Sequence, residues 1–167
     1  MYQDYKDLLS AFQCHGVRYL VVGGFAVIYH SQPRFTKDLN LFIQADPANA
    51  RAAYAALAEF GAAIQSMRPE DFTDPNSFFR FGREPKGFDI LPSIPGVDFN
   101  AAWEKRAETV IDPATGLKAN FISAEDLIAS KRASGRPQDL ADVDAIRKAA
   151  GSQARGPAKK DHGTGRP

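Results

Sequence analysis

Apolar residues recur at helical spacing at the start of the chain. Tyr5, Leu8, Leu9 and Phe12 share one face of residues 3–15, and Gly16 closes the helix they predict. The pattern then changes. Val17-Arg18-Tyr19-Leu20-Val21-Val22 is β-rich and mostly apolar, as expected of a strand covered on both faces. Gly23-Gly24 ends it, Phe25 to His30 reads as a short helix, and Ser31-Gln32-Pro33 stops that helix. A second apolar strand follows at Leu39-Asn40-Leu41-Phe42-Ile43.

Asp46-Pro47 is an N-cap followed by proline at the first helical position, and it opens an alanine-rich helix over 48–60 that Gly61 ends. Residues 67–76 are polar and turn-rich. Phe78 to Phe81 and Phe88 to Ile94 read as two strands joined by a hairpin through residues 82–87. A short helix is expected near 99–106, then a second hairpin pairing 109–111 with 117–122 around Asp112-Pro113-Ala114-Thr115-Gly116. Ser123 with an acid three residues on is a capping signature for a helix to Ser134; Gly135-Arg136-Pro137 breaks it, and a last helix runs over 138–149. The aromatic residues Phe78, Phe79, Phe81 and Phe88 are expected in the core, and Trp103 on the sheet. This succession predicts an α+β domain, a mixed sheet flanked by helices and finished by a C-terminal helical pair.

Composition sharpens this only in places. With 167 residues, 44% hydrophobic and 25% charged, one globular domain is the expectation, over residues 1–149. The single cysteine, Cys14, excludes an intrachain disulfide and a Cys-based zinc site. The longest apolar run, Tyr19 to Tyr29, is too short to span a bilayer, so no membrane partner and a cytoplasmic location are expected. The formal charge of +1 conceals a split: residues 151–167 carry four basic residues and one acid, leaving 17 basic and 19 acidic residues before them. The stretch 150–167 has almost no large apolar residue and reads as a disordered basic tail, with weak RNA tethering as an alternative role.

Candidate chemistry gathers in one region. Gly23-Gly24 delivers a strand to a helix N-terminus, where backbone amides and the helix dipole suit a phosphate. Asp38 sits at the entrance to the second strand, and Asn40, two residues on, points to the same face. Asp89 lies inside the apolar run Phe88-Asp89-Ile90-Leu91 and needs a partner or a solvated cleft. If the two strands are neighbours, these three oxygen-bearing side chains form a set suited to Mg²⁺. Taken alone, a glycine pair is a common turn and paired acids are often a solvated strand edge.

The run Val22-Gly23-Gly24-Phe25-Ala26-Val27-Ile28-Tyr29-His30, with Arg34-Phe35-Thr36-Lys37-Asp38-Leu39-Asn40, Phe88-Asp89-Ile90-Leu91, and the C-terminal segment from Asp126 to Lys131 and from Gly135 to Val143, resembles the minimal nucleotidyltransferases of the DNA-polymerase-β-like superfamily. Within these it looks like the bacterial branch related to abortive-infection, toxin-type enzymes, over roughly residues 4–149. The resemblance implies Asp38, Asn40 and Asp89 as metal ligands for Mg²⁺ (or Mn²⁺), with Asp38 and Asp89 catalytic. It implies Gly23, Gly24, Arg34, Thr36 and Lys131 at the nucleotide, and attack of an acceptor hydroxyl on the α-phosphate of an NTP. The acceptor would be RNA, such as a tRNA end, or a protein, with an antitoxin as partner. Asn40 departs from the pattern, which has Asp there. Three readings stay open: one tight metal, a degenerate nucleotide-binding or regulatory module, or an inactivating replacement. His30 reads as structural, Arg136 and Asp139 as an inter-helix ion pair, and adjacent Cys14 and His15 as no nucleophilic pair.

Overall fold

The computed structural model describes residues 1–154. The expected tail from residue 155 onward lies outside the described residues. The strands are β1 (Tyr19–Val22), β2 (Leu39–Ile43), β3 (Phe79–Phe81), β4 (Phe88–Leu91), β5 (Ala107–Asp112) and β6 (Leu117–Phe121). The helices are α1 (Gln3–Cys14), α2 (Gly23–His30), α3 (Pro47–Phe60), α4 (Phe99–Glu104), α5 (Ala124–Ser134) and α6 (Pro137–Ala154), with a 3₁₀ turn at Pro69–Thr73.

The fold is α+β. One six-stranded mixed sheet has the order β3-β4-β2-β1-β6-β5. Its two hairpins, β3–β4 and β5–β6, form the edges and are antiparallel. In the middle, β1 and β2 are antiparallel, while β2–β4 and β1–β6 are parallel. Helices cover both faces. Tyr5, Leu8, Leu9 and Phe12 of α1, with Ala53 and Leu57 of α3, bury Val21, Leu41, Ile43 and Ile90. On the other face Ala26 and Val27 of α2, Phe99, Leu127 and Ile146 bury Leu20, Val22 and Phe42. Two-sided burial explains why β1 and β2 read as continuous apolar runs. It also makes Asn40 and Asp89 the conspicuous breaks in that pattern.

The sequence signals for α3 and α5 are realised in detail. Asp46 accepts from the Asn49 amide at 2.7 Å and Gly61 ends α3 with φ of 93°. Ser123 accepts from the Asp126 amide at 3.1 Å and Gly135 ends α5 with φ of 69°. Several boundaries differ. β4 stops at Leu91, where Pro92 cannot donate to the ladder, rather than reaching Ile94. α4 ends at Glu104 and α6 runs through Ala154, five residues past the expected end. Phe78 is not core: it precedes β3 and is 61% exposed, because the edge strand has no cover there. Phe79 is half-buried, and Phe81 and Phe88 are in the core. Trp103 packs on the second cluster through Phe99, with the Arg106 guanidinium 3.9 Å over its ring. No helix of the described residues is long and apolar enough to cross a membrane.

Tyr5 ties α1 to the β3–β4 turn: its hydroxyl donates to the Gly87 carbonyl at 2.7 Å. Burial pushes the phenols of Tyr5 and Tyr19 up to about 12; for Tyr5 the Asp38 carboxylate adds to the effect. The folded protein thus holds protons that an unfolded tyrosine releases near pH ~10. Stability should therefore be retained below about pH 10 and lost as pH rises toward about 12. Urea unfolding across that range measures it, and Tyr5→Phe should make the loss shallower; an equally steep loss in that variant would exclude Tyr5 as a source.

Candidate functional site

Strand register assembles the site. Val22 of β1 faces Asn40 of β2, Asn40 faces Asp89 of β4, and Asp89 faces Arg80 of β3. Directly opposed residues project to the same side of a sheet, so these four form a row across four strands, on the face covered by α2, α5 and α6. Asp38 lies two residues before Asn40 and belongs to the same side. A Cβ on Gly87 would stand 2.9 Å from Asp38 Oδ1, so the missing side chain at Gly87 leaves room for this carboxylate. Asp38 is half-buried and has no ion-pair partner among the described residues.

Asp89 is 7% exposed, and its charge is met by Arg80. Arg80 Nε donates to Oδ1 at 2.9 Å and a terminal nitrogen donates to Oδ2 at 3.1 Å, a two-pronged pairing that takes both carboxylate oxygens. The hydrogen bond to Asp89 is the main reason the Arg80 guanidinium is held above its usual range; the charges of Asp89, Asp38 and Glu84 act in the same direction.

The glycine pair begins α2, and no side chain caps its first turn. Gly23 has φ of 65°, which favours glycine, and a Cβ there would overlap the Asn40 amide. A Cβ on Gly24 would overlap Thr36. The two glycines therefore admit the β2 entrance against α2. The Asn40 Oδ1 atom is buried with no hydrogen-bond partner among the described residues, an unusual cost for an amide oxygen.

Gly23 and Asn40 also line a cleft of about 150 Å³ whose far wall carries Lys131, Arg136 and Asp139. Lys131 Nζ lies 2.9 Å from Asp142 and 3.3 Å from Asp139, and these carboxylates are nearly fully buried. Arg34 reaches Asp142 at 3.2 Å, and Arg136 reaches Asp139 at 2.8 Å. Three cations thus meet two carboxylates, leaving the cluster net positive. Burial pushes the Asp139 carboxyl up, but the Arg136 hydrogen bond and the Lys131 charge outweigh it and hold it below the ordinary value. A larger groove of about 370 Å³, by Arg18, Trp103 and Lys118, lies at the opposite end of β1 and holds none of the expected site residues.

The structure brings together Gly23, Gly24, Arg34, Thr36, Asp38, Asn40 and Asp89 around the β1–α2 turn and the β2–β4 pair. Lys131 stands across the cleft, bound to two carboxylates. The Arg136–Asp139 pair joins residues three apart at the start of α6; the bond between helices is made by Lys131. His30 Nε2 donates to the Ile122 carbonyl at 2.7 Å and anchors α2 to the end of β6. Sequence reasoning missed Arg80. Its signal was the alternation Phe79-Arg80-Phe81, which puts the basic residue on the side opposite two core phenylalanines.

Among the described residues no three or more His, Cys, Asp or Glu side chains are grouped to hold a metal ion. The set at hand is different: two carboxylates and an amide oxygen. The buried, unpartnered Asn40 Oδ1, flanked by Asp38 and Asp89, is a hard oxygen donor in need of a partner, and this fits a divalent cation.

A family model described as "Nucleotidyltransferase of unknown function (DUF6036)" matches residues 6–148. No curated protein matches the sequence. Among solved structures, the crystal structure of the lincosamide antibiotic adenylyltransferase LnuA, lincomycin-bound, is similar with a TM-score of 0.57 at 16% identity, covering 89% of this chain and 98% of that chain. At that identity the likeness is one of fold.

Proposed function

The chain belongs to a family of nucleotidyltransferases, and on that premise we propose that it moves a nucleotidyl group from an NTP to an acceptor hydroxyl with Mg²⁺ or Mn²⁺ bound at Asp38, Asn40 and Asp89. The observation that carries the reading is the register Asn40↔Asp89, which sets the three oxygen donors on one face beside the uncapped first turn of α2. Gly23, Gly24, Thr36 and Arg34 are assigned to the triphosphate, with Lys131 across the cleft; the net positive charge of the Lys131 cluster supports that side for phosphate.

In the proposed reaction the acceptor oxygen forms a bond to the α-phosphorus, the bond to pyrophosphate breaks in line, and the hydroxyl proton passes to Asp89. A bound divalent cation supplies Lewis-acid stabilisation of the charge on the phosphate oxygens. Asp38 provides the fixed negative charge that holds the cation, and the α2 amides orient the phosphates. We assign the acceptor hydroxyl to RNA, such as a tRNA end, or to a protein, and the toxin-type resemblance adds an antitoxin as partner. The lincomycin-bound neighbour makes a small-molecule hydroxyl a further acceptor to include.

A second reading is favoured by Asn40 and by the hold of Arg80 on Asp89: a module that binds nucleotide without transfer. One assay separates the two. Purified protein and Asn40→Asp are incubated with each α-³²P NTP, Mg²⁺ or Mn²⁺, and RNA, protein or small-molecule acceptors. Label transfer by the natural chain, rising about 10-fold or more in Asn40→Asp as a third carboxylate strengthens cation binding, is the expected outcome. Calorimetric NTP binding with no transfer by either chain would establish the binding module instead.

A further inference from the structure

Arg80 and Asp89 are an unequal pair. The Asp89 side chain is 11% exposed and sits in β4, flanked by β2 and β3, so the acid cannot leave. The Arg80 side chain is 62% exposed and projects from β3, which has no neighbouring strand on its outer side among the described residues, so the guanidinium can turn into water. Without a cation beside it, Asp89 would be an uncompensated charge within an apolar strand. The guanidinium supplies that cation, and it hydrogen-bonds both of the oxygens a metal would use. A guanidinium and a divalent ion on one carboxylate repel each other, so each weakens the other's hold on it.

We propose that Arg80 is an internal counter-cation of the site: it neutralises Asp89 in the metal-free protein, competes with a divalent cation for that carboxylate, and on release turns to the phosphates of the incoming nucleotide. The proposal rests on the reading of Asp38, Asn40 and Asp89 as a cation site. A guanidinium freed from a carboxylate suits a phosphate, which offers the same planar pair of acceptors. Metal and nucleotide loading are therefore coupled. The nucleotide gives Arg80 an alternative anionic partner and so opens Asp89, and by reciprocity each ligand tightens the other. A chain with Asn at position 40 gains from this device, because the cation then arrives together with the phosphate oxygens that complete its ligand set.

The test is Mn²⁺ titration of the full chain and of Arg80→Gln, followed by the electron paramagnetic resonance of free Mn²⁺, with and without an NTP analogue carrying a non-hydrolysable α,β-methylene bridge. Arg80→Gln should bind Mn²⁺ alone roughly 5-fold more tightly than the natural chain, the size expected for removing a half-exposed ion pair and its repulsion, and the analogue should tighten Mn²⁺ less in the variant. Equal or weaker Mn²⁺ binding by Arg80→Gln overturns the counter-cation role while leaving the cation site standing. Absence of Mn²⁺ binding by both chains, with and without the analogue, overturns the site and the counter-cation together. A measurement on the natural chain guards against a misfolded variant. The Nε–H resonance of Arg80, identified by its loss in Arg80→Lys, should move when Mg²⁺ and the analogue are added; an unmoved resonance at saturation rules the release out.

Discussion

Asp38→Asn is expected to lower nucleotidyl transfer about 10³-fold, the loss of several kcal/mol of charge stabilisation at a metal-assisted phosphoryl centre, with the thermal midpoint unchanged within about 2 °C. The expectation follows from a local charge count. In the metal-free protein Asp89 is paired with Arg80 and Asn40 carries no charge, so Asp38 is the uncompensated carboxylate that first draws the cation. Asp38 is half-buried at the entrance to β2 and makes no ion pair among the described residues, so the isosteric amide disturbs little packing. Steady-state transfer of labelled NTP, read beside thermal melting, checks both halves. A variant that keeps more than a tenth of the activity would mean that Asp38 does not hold the cation.

Lys131→Met should cost about 3 kcal/mol of stability, the lower end of the range for stripping one partner from a buried ionic cluster, and lower the melting midpoint by roughly 6–12 °C. Asp139 and Asp142 are 3% and 2% exposed and would keep their charges in a place water scarcely reaches. Arg136 on Asp139, with Arg34 and Gln138 on Asp142, limits the damage, which is why the upper end is not expected. The triple change Lys131→Met, Asp139→Asn, Asp142→Asn should regain part of the lost midpoint, because no stranded carboxylate remains. Equal midpoints for the natural chain and Lys131→Met would show that the cluster does not hold α5 to α6. Arg34 ends the chain of contacts at Asp142, so the β2-entrance loop depends on the same cluster, and its loss should also loosen Thr36 over Gly24.

The elements that are written in short windows of sequence are the ones the structure realises. The α1 stripe, the Asp46-Pro47 and Ser123 caps, and the Gly61 and Gly135 stops each need only residues within a turn of one another. The α+β class and the family resemblance were legible for the same reason, as was the suspicion that Asp89 needs a partner. Phe78 was misplaced because an aromatic residue at a strand's start looks alike whether the strand is central or at the edge, and only the sheet order decides which. Lys131 shows a related limit. The i,i+3 spacing of Asp139 and Asp142 sets two acids on one helix face, but which cation meets them depends on how α5 and α6 fold back across Gly135-Arg136-Pro137.

By itself, then, the sequence determined the periodicities, the caps and the identity of the oxygen-bearing residues near Gly23-Gly24, since these are local choices of backbone and side chain. Tertiary structure alone decided that β2 lies between β1 and β4, that Asn40 is opposed to Asp89, and that Arg80 rather than a solvated cleft answers the buried carboxylate. The physical reason is that the β2–β4 pairing, which joins Asn40 to Asp89 across distant parts of the chain, is chosen by burial of both sheet faces at once, while the pairing of Arg80 with Asp89 is set by the register within the β3–β4 hairpin, which the positions of the two strands leave open.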